Sequence, residues 1–305
     1  MSEAIVSGWM RPERGGPSLC KLMLWVTLRF GWPVGQALLP LVTAYFLATG
    51  SDARAASRSY LGRVLGRRPS LIDVARHFHS FASTTLDRVF LLSDRSGQYR
   101  IAIEGEDVLA RALALGRGCI LLGAHVGSFE VLRSIGRHSP MTVKVLMFRG
   151  NAGAATYLLE QLDPDFLNSV IEIGTPRAML QVSESLARGE LVGMLGDRAP
   201  RGEKTIPVEL LGAPALLPAG PLLVAAMLHA PVVLFHGVRT GPRRYVVGFE
   251  PFADEIVLPR GRRDAALHGW MQLYASRIEA LCRAYPFSWF NFHDVWAPVP
   301  TRPRP

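Results

Sequence analysis

Apolar and polar positions divide the chain near residue 70. Before that point, CKLMLWVTLRFGWPVGQALLPLVTAYFLATG (20–50) is mostly apolar, but Lys21, Arg29, Pro33, Gln36 and Pro40 interrupt it. Neither half offers the roughly 20 uninterrupted apolar residues of a spanning helix. The pattern predicts a membrane-surface hairpin or one short, tilted insertion. SDARAASRSYLGRVLGRRPS (51–70) follows and carries Arg54, Arg58, Arg63, Arg67 and Arg68. Arginines beside an apolar segment are drawn to anionic headgroups by roughly 1 kcal/mol per near-surface charge. The alternative is an amphipathic helix that packs on the main domain and keeps a solvated basic face. No small-residue cleavage site follows cleanly, and MRPERGGPS does not resemble the n-region of a signal peptide.

Beyond residue 70 the period of the pattern switches back and forth. LIDVARHFHSFASTTLDRVFLL (71–92) and EDVLARALALG (106–116) have helical spacing. YRIAIEG (99–105), GCILLGA (118–124), TVKVLMF (142–148), SVIEI (169–173), LVGML (191–195), TIPVELL (205–211), PVVLFHGV (231–238) and RYVVGF (244–249) read as strands. Further helices are predicted at about 153–162, 176–188, 219–229 and 264–284. Such alternation predicts an α/β fold: a mixed, largely parallel central sheet flanked by helices. Residues 1–69 form an N-terminal membrane-associated helical segment in this reading, and residues 70–305 form one α/β domain. Strand ends are where such sheets carry function.

Composition narrows the classes. At 49% hydrophobic and 19% charged residues the chain is neither disordered nor fibrous. A net charge of +9 favours anionic partners: nucleic acid, an acidic carrier protein or anionic lipid heads. Nucleic acid is disfavoured, because no recognisable module interleaves these arginines with exposed aromatics. Cys20, Cys119 and Cys282 are few, distant and odd in number, so packed thiols are expected rather than a disulfide framework. No metal site is expected. His77 and His79 point about 200° apart on a helix and make poor shared ligands. His229 and His236 read as core or strand-end histidines.

The chemistry-bearing stretch is GCILLGAHVGSFEVLR (118–133). His125 stands at the exit of a strand, Ser128 can cap the next helix, and Glu130 lies in that helix's first turn. On one continuous helix His125 and Glu130 would be about 140° apart. A strand-to-helix turn removes that obstacle, with Gly127 permitting the reversal. A neutral imidazole can take a proton from a hydroxyl while a carboxylate fixes its tautomer. The helix N-terminus helps to keep Glu130 ionised. The same spacing also fits a hydrogen-bonded loop histidine.

LLGAHVGSFEVL resembles the H-x-x-x-x-D/E block of the lysophospholipid acyltransferase superfamily, and within it the bacterial lipid A biosynthesis acyltransferases. The resemblance runs over nearly the whole chain: an apolar, basic N-terminus, the histidine block after a strand, LVGMLGDRAPRG (191–202), VELLGAPALLPAGPLLVAAMLHAPVVLFHGVR (208–239) and the aromatic ending FSWFNFHDVW (287–296). It implies transfer of a fatty acyl group from an acyl thioester, on acyl carrier protein or coenzyme A, to a hydroxyl of a lipid A precursor or related lipophilic acceptor. It further implies action at the cytoplasmic face of a bacterial inner membrane, with acyl carrier protein and the anionic membrane surface as partners and no cofactor beyond the donor. His125 becomes the general base and Glu130 its orienting partner. For the oxyanion the candidates are the backbone N–H groups of the turn at Gly127, Ser128 and Phe129, and Arg149, which is alternatively a surface strand-end charge. Asp197 and Arg198 of the GDR turn position the acceptor or stiffen the loop. The aromatic ending is a plug or a wall of the lipid groove, and His293–Asp294 is an alternative acid–base pair. A hydrolase is the nearest rival, but no G-x-S-x-G elbow accompanies the histidine.

Overall fold

A computed structural model describes residues 17–93, 96–132, 142–147, 166–199 and 202–296. The chain begins with α1 (Pro17–Phe30), α2 (Trp32–Thr49), α3 (Ser51–Leu65) and α4 (Leu71–Leu91). Gly31, at φ +86°, separates α1 from α2, and Pro33 starts α2 where its missing N–H costs nothing. Among the described residues no single helix is long and apolar enough to cross a membrane. α2 contains no charged residue. It turns Gly35, Leu39 and Thr43 inward and leaves Val34, Leu41 and Tyr45 exposed.

Three of the five arginines expected to meet headgroups hold protein instead. Arg54 caps the C-terminus of α2 by donating to the carbonyls of Leu47 and Ala48. Arg63 lies over the Trp296 ring at 4.7 Å. Arg67 grips Asp73 with two hydrogen bonds of 2.8 and 3.0 Å. Asp73 also completes a capping box with Ser70, which fixes the start of α4. Arg58 and Arg68 are exposed.

The rest of the chain supplies β1 (Arg100–Glu104), α5 (Glu106–Leu113), β2 (Cys119–Gly123), β3 (Val143–Met147), β4 (Val170–Glu172), α6 (Ala178–Ala187), β5 (Leu191–Leu195), β6 (Thr205–Leu210), β7 (Ala213–Pro218), α7 (Gly220–Leu228), β8 (Val232–Gly241), β9 (Arg244–Ala253) and α8 (Arg263–Ala284). Seven strands form one sheet in the order β1-β9-β8-β2-β5-β3-β4, every pair parallel except β8 with β9. The expected mixed, largely parallel sheet is therefore what forms. The helix expected at 153–162 lies outside the described residues. β2 is buried at all five positions, as an unbroken apolar run requires. Ile120 and Leu122 face one core with Val192, Met194 and Trp289, while Cys119 and Leu121 face another with Val89 and Phe90.

β7 differs from the sequence expectation. Ala213–Pro218 pairs antiparallel with β6 through Leu211 and Gly212, both at positive φ as a tight two-residue turn demands. Pro214 and Pro218 obscure the strand in the sequence, and a two-stranded hairpin tolerates them because every strand in it is an edge.

Asp87 joins the N-terminal helices to the sheet. Its fully buried carboxylate accepts hydrogen bonds from Trp32 Nε1 (2.7 Å), Tyr99 Oη (2.9 Å), Arg239 Nε (2.9 Å) and Tyr245 Oη (3.0 Å).

Candidate active site

β2 and β5 are neighbours in parallel register, Cys119 opposite Leu191 and Gly123 opposite Leu195. Two residues beyond each strand end, the same offset of 72 residues sets His125 beside Asp197. The imidazole donates from Nδ1 to Asp197 Oδ1 at 2.6 Å, and the His125 backbone N–H donates to Oδ2 at 3.0 Å. Oδ2 also accepts from Trp289 Nε1 (2.8 Å) and Asn291 Nδ2 (2.9 Å). Asp197 is thus a sealed carboxylate with four donors, whereas the His125 side chain is 28% exposed.

Electrostatics set the protonation states. Burial opposes charge on Asp197, but the imidazole, its hydrogen bonds and Arg198 outweigh it and hold the carboxyl well below its usual range. Removal from water and the charge of Arg198 lower the His125 pKa against the pull of Asp197, and Arg88 adds to the lowering. At neutral pH the imidazole is therefore uncharged. The carboxylate keeps its proton on Nδ1 and leaves Nε2 with a lone pair.

The turn that presents His125 is clamped from two sides. Gly127 adopts φ +80°, and a Cβ there would collide with the carbonyl oxygen of Gly237. Its N–H donates to Ser288 O (2.8 Å), the Ser128 N–H donates to Gly237 O (2.7 Å), and the Phe290 N–H donates to His125 O (2.8 Å). The aromatic ending is thus an extended plug bridged antiparallel to the turn through Val126 and Trp289. Arg198 ties the plug down, donating to Asn291 Oδ1 (2.5 Å) and Phe290 O (2.8 Å).

His77 holds the plug from α4. Its Nε2–H donates to Trp289 O (2.8 Å), which leaves Nδ1 to accept from the Ser57 hydroxyl (2.9 Å). Burial pushes the His77 pKa down from 6.5 to about 4. The unfolded chain therefore binds one more proton than the native state between these values. Stability is full above pH 6.5 and falls as the pH drops toward 4, by about 3 kcal/mol from this residue. Denaturant unfolding at pH 7 and pH 4.5 should show the loss, and His77→Gln, which keeps a donor but cannot titrate, should reduce the difference.

The family model described as bacterial lipid A biosynthesis acyltransferase matches residues 10–297. The chain belongs to that family. It is accordingly an acyltransferase that acts on lipid acceptors. No curated protein sequence matches it. Among solved structures, the 1-acyl-sn-glycerophosphate (LPA) acyltransferase of Thermotoga maritima aligns with 81% of this chain and 95% of its own, at 17% identity and a TM-score of 0.32, too loose a likeness to place any residue.

In this acyltransferase several expected site residues take other parts. Glu130 does not meet His125. Its carboxylate accepts from the Ser128 hydroxyl (2.7 Å) and pairs with Arg88 of α4 (3.1 Å). The helix begins at Glu130 and turns that side chain toward α4, while strand register has already brought Asp197 to the imidazole. Gly127 and Ser128 are not free oxyanion donors, since both N–H groups bond to carbonyls, and Ser128 is fully buried. Asp197, expected to position the acceptor, is the imidazole's partner, and Arg198 is a clamp on the plug. Arg149 lies outside the described residues. Asp294 accepts from the backbone N–H of Trp296 (3.1 Å). Cys119 and Cys282 are buried and free, and burial pushes the Cys119 thiol up to about 12, so it is no nucleophile at neutral pH.

Trp289 and Asn291 join the site unexpectedly. A signal for Asp197 is present in hindsight: CILLGAH and LVGMLGD each place a polar residue six positions after the first residue of a buried strand.

Proposed function

We propose that this acyltransferase moves a fatty acyl group from an acyl thioester, on acyl carrier protein or coenzyme A, to a hydroxyl of a lipid A precursor or related lipophilic acceptor. The observation that carries the reading is a partly exposed imidazole with Nδ1 held by a buried carboxylate, which leaves Nε2 with its lone pair. Nε2 removes the acceptor's hydroxyl proton as its oxygen attacks the thioester carbonyl. A C–O bond forms, the tetrahedral intermediate collapses, and the C–S bond breaks. The departing thiolate then takes the proton from Nε2–H. General-base assistance of this kind is worth about 10²–10⁴-fold. No acyl-enzyme is needed, and the high pKa of Cys119 agrees with that.

The site of action in this proposal is the cytoplasmic face of a bacterial inner membrane. The uncharged α2 and its exposed Val34, Leu41 and Tyr45 support docking on lipid, and the net charge of +9 suits both anionic headgroups and an acidic carrier. Purified protein given an acyl thioester and a lipid A precursor in mixed micelles should release free thiol and form acylated acceptor in equal amounts. Free fatty acid appearing at the same rate with and without acceptor would identify a hydrolase and overturn the proposal.

A further inference from the structure

A groove of about 580 Å³ separates α2 from α4. Ala44 and Leu47 of α2 and Ile72 of α4 form its apolar walls, and Arg76, His79 and Arg239 also line it. None of its lining side chains is acidic. Arg239 is held through Nε by the buried Asp87, which fixes the guanidinium where it borders the groove. Arg76 packs over the Phe287 ring at 4.9 Å and forms no ion pair with the described residues. A shallow apolar groove bordered by the Arg76 guanidinium and by Arg239, whose Nε is paired with Asp87, and lined by no carboxylate suits an amphiphile with an anionic head.

Neither His125 nor Asp197 lines the groove, which meets the aromatic ending at Phe287. Ile72, Arg76 and His79 lie on a face of α4 about 150° around the helix from His77, Phe81 and Arg88. That second face serves the catalytic side, since Phe81 packs on Phe290 (5.3 Å) and Arg88 pairs with Glu130 (3.1 Å). On its outer side the groove opens beside exposed Pro40 and Ala44, in line with Leu41, Tyr45 and Ile72.

We propose that this groove binds one anionic phospholipid, its phosphate against Arg76 and Arg239 and its acyl chains along the exposed face of α2. The proposal rests on the reading that this face of α2 lies on lipid. Calorimetry with full-length protein and a monomeric dihexanoyl phosphatidylglycerol tests it without vesicles. Saturable 1:1 binding is expected, at least tenfold tighter than for dihexanoyl phosphatidylcholine. Arg76→Gln should weaken it at least tenfold, and Ala44→Leu, which narrows the groove without touching a charge, should also weaken it. Both residues are exposed, so both variants should fold. Equal affinity for the two headgroups, binding unchanged in both variants, or displacement by one equivalent of acyl thioester would each overturn the proposal. Flotation of the wild type with neutral phosphatidylcholine vesicles tests the membrane reading on its own. Failure there with short-chain binding intact rejects that reading and leaves the groove, whereas the reverse rejects the groove alone.

Discussion

Asp197→Asn is expected to slow acyl transfer by about 10²–10⁴-fold, close to the loss from His125→Ala. The substitution preserves shape but removes the charge that holds a proton on His125 Nδ1 across 2.6 Å. An amide can instead donate to Nδ1, which moves the ring proton to Nε2 and blocks the atom that must act as base. It also strips the developing imidazolium of its counter-charge. Because the two residues act as one unit, the double variant should be no slower than His125→Ala alone. The acid limb of the pH–rate profile supplies a second readout. A base works only when neutral, so activity should fall as the pH drops through the His125 pKa, which lies below 6.5. Asp197→Asn should move that limb to still lower pH, since the carboxylate is what raises the imidazole's basicity. Glu130→Gln should leave the limb in place, because Glu130 bonds to Ser128 and Arg88 rather than to the ring.

Trp289→Ala should be the most destabilising single change near the site, at about 3–5 kcal/mol in denaturant unfolding. Trp289 is fully buried, packs edge-on against Tyr60 at 5.0 Å, and donates to Asp197. Its removal opens a cavity beneath α3 and α4 and withdraws one of the four donors of a sealed carboxylate. Trp289→Phe separates the two effects. It keeps most of the volume and loses the indole N–H, so it should cost about 1–3 kcal/mol and still reduce transfer at temperatures where the protein remains folded. Full activity in a folded Trp289→Phe protein would mean that the indole donor does not position Asp197.

The legible parts of this chain are those that depend on local pattern. β2 and β5 announce themselves as short apolar runs closed by glycine, α4 as a long stretch of helical spacing, and His125 as a polar residue at a strand exit. Its partner is not local. Glu130 is five residues away and Asp197 is 72, and only the order in which β2 lies between β8 and β5 reveals which carboxylate arrives. Sequence period fixes which face of a strand is buried but not which strand lies beside it. The plug shows the same limit. Its aromatic content is plain in the sequence, yet its pairing with residues 125–127 follows from a contact across more than half of the chain. The arginines of α3 fit two readings in the sequence, attraction to anionic headgroups or the solvated face of a packed helix, and capping of the preceding helix is neither of them. Arg54 goes to the carbonyls of Leu47 and Ala48, which would otherwise lack partners at the end of α2.

The direct test is the protonation of one ring. In nitrogen-15 NMR of protein labelled at histidine, with His125→Gln to assign the signal, the account predicts at neutral pH a His125 protonated on Nδ1 and bare on Nε2. It also predicts that Asp197→Asn destroys this preference. A His125 carrying its proton on Nε2, or doubly protonated at neutral pH, would contradict an imidazole held ready as a base by Asp197.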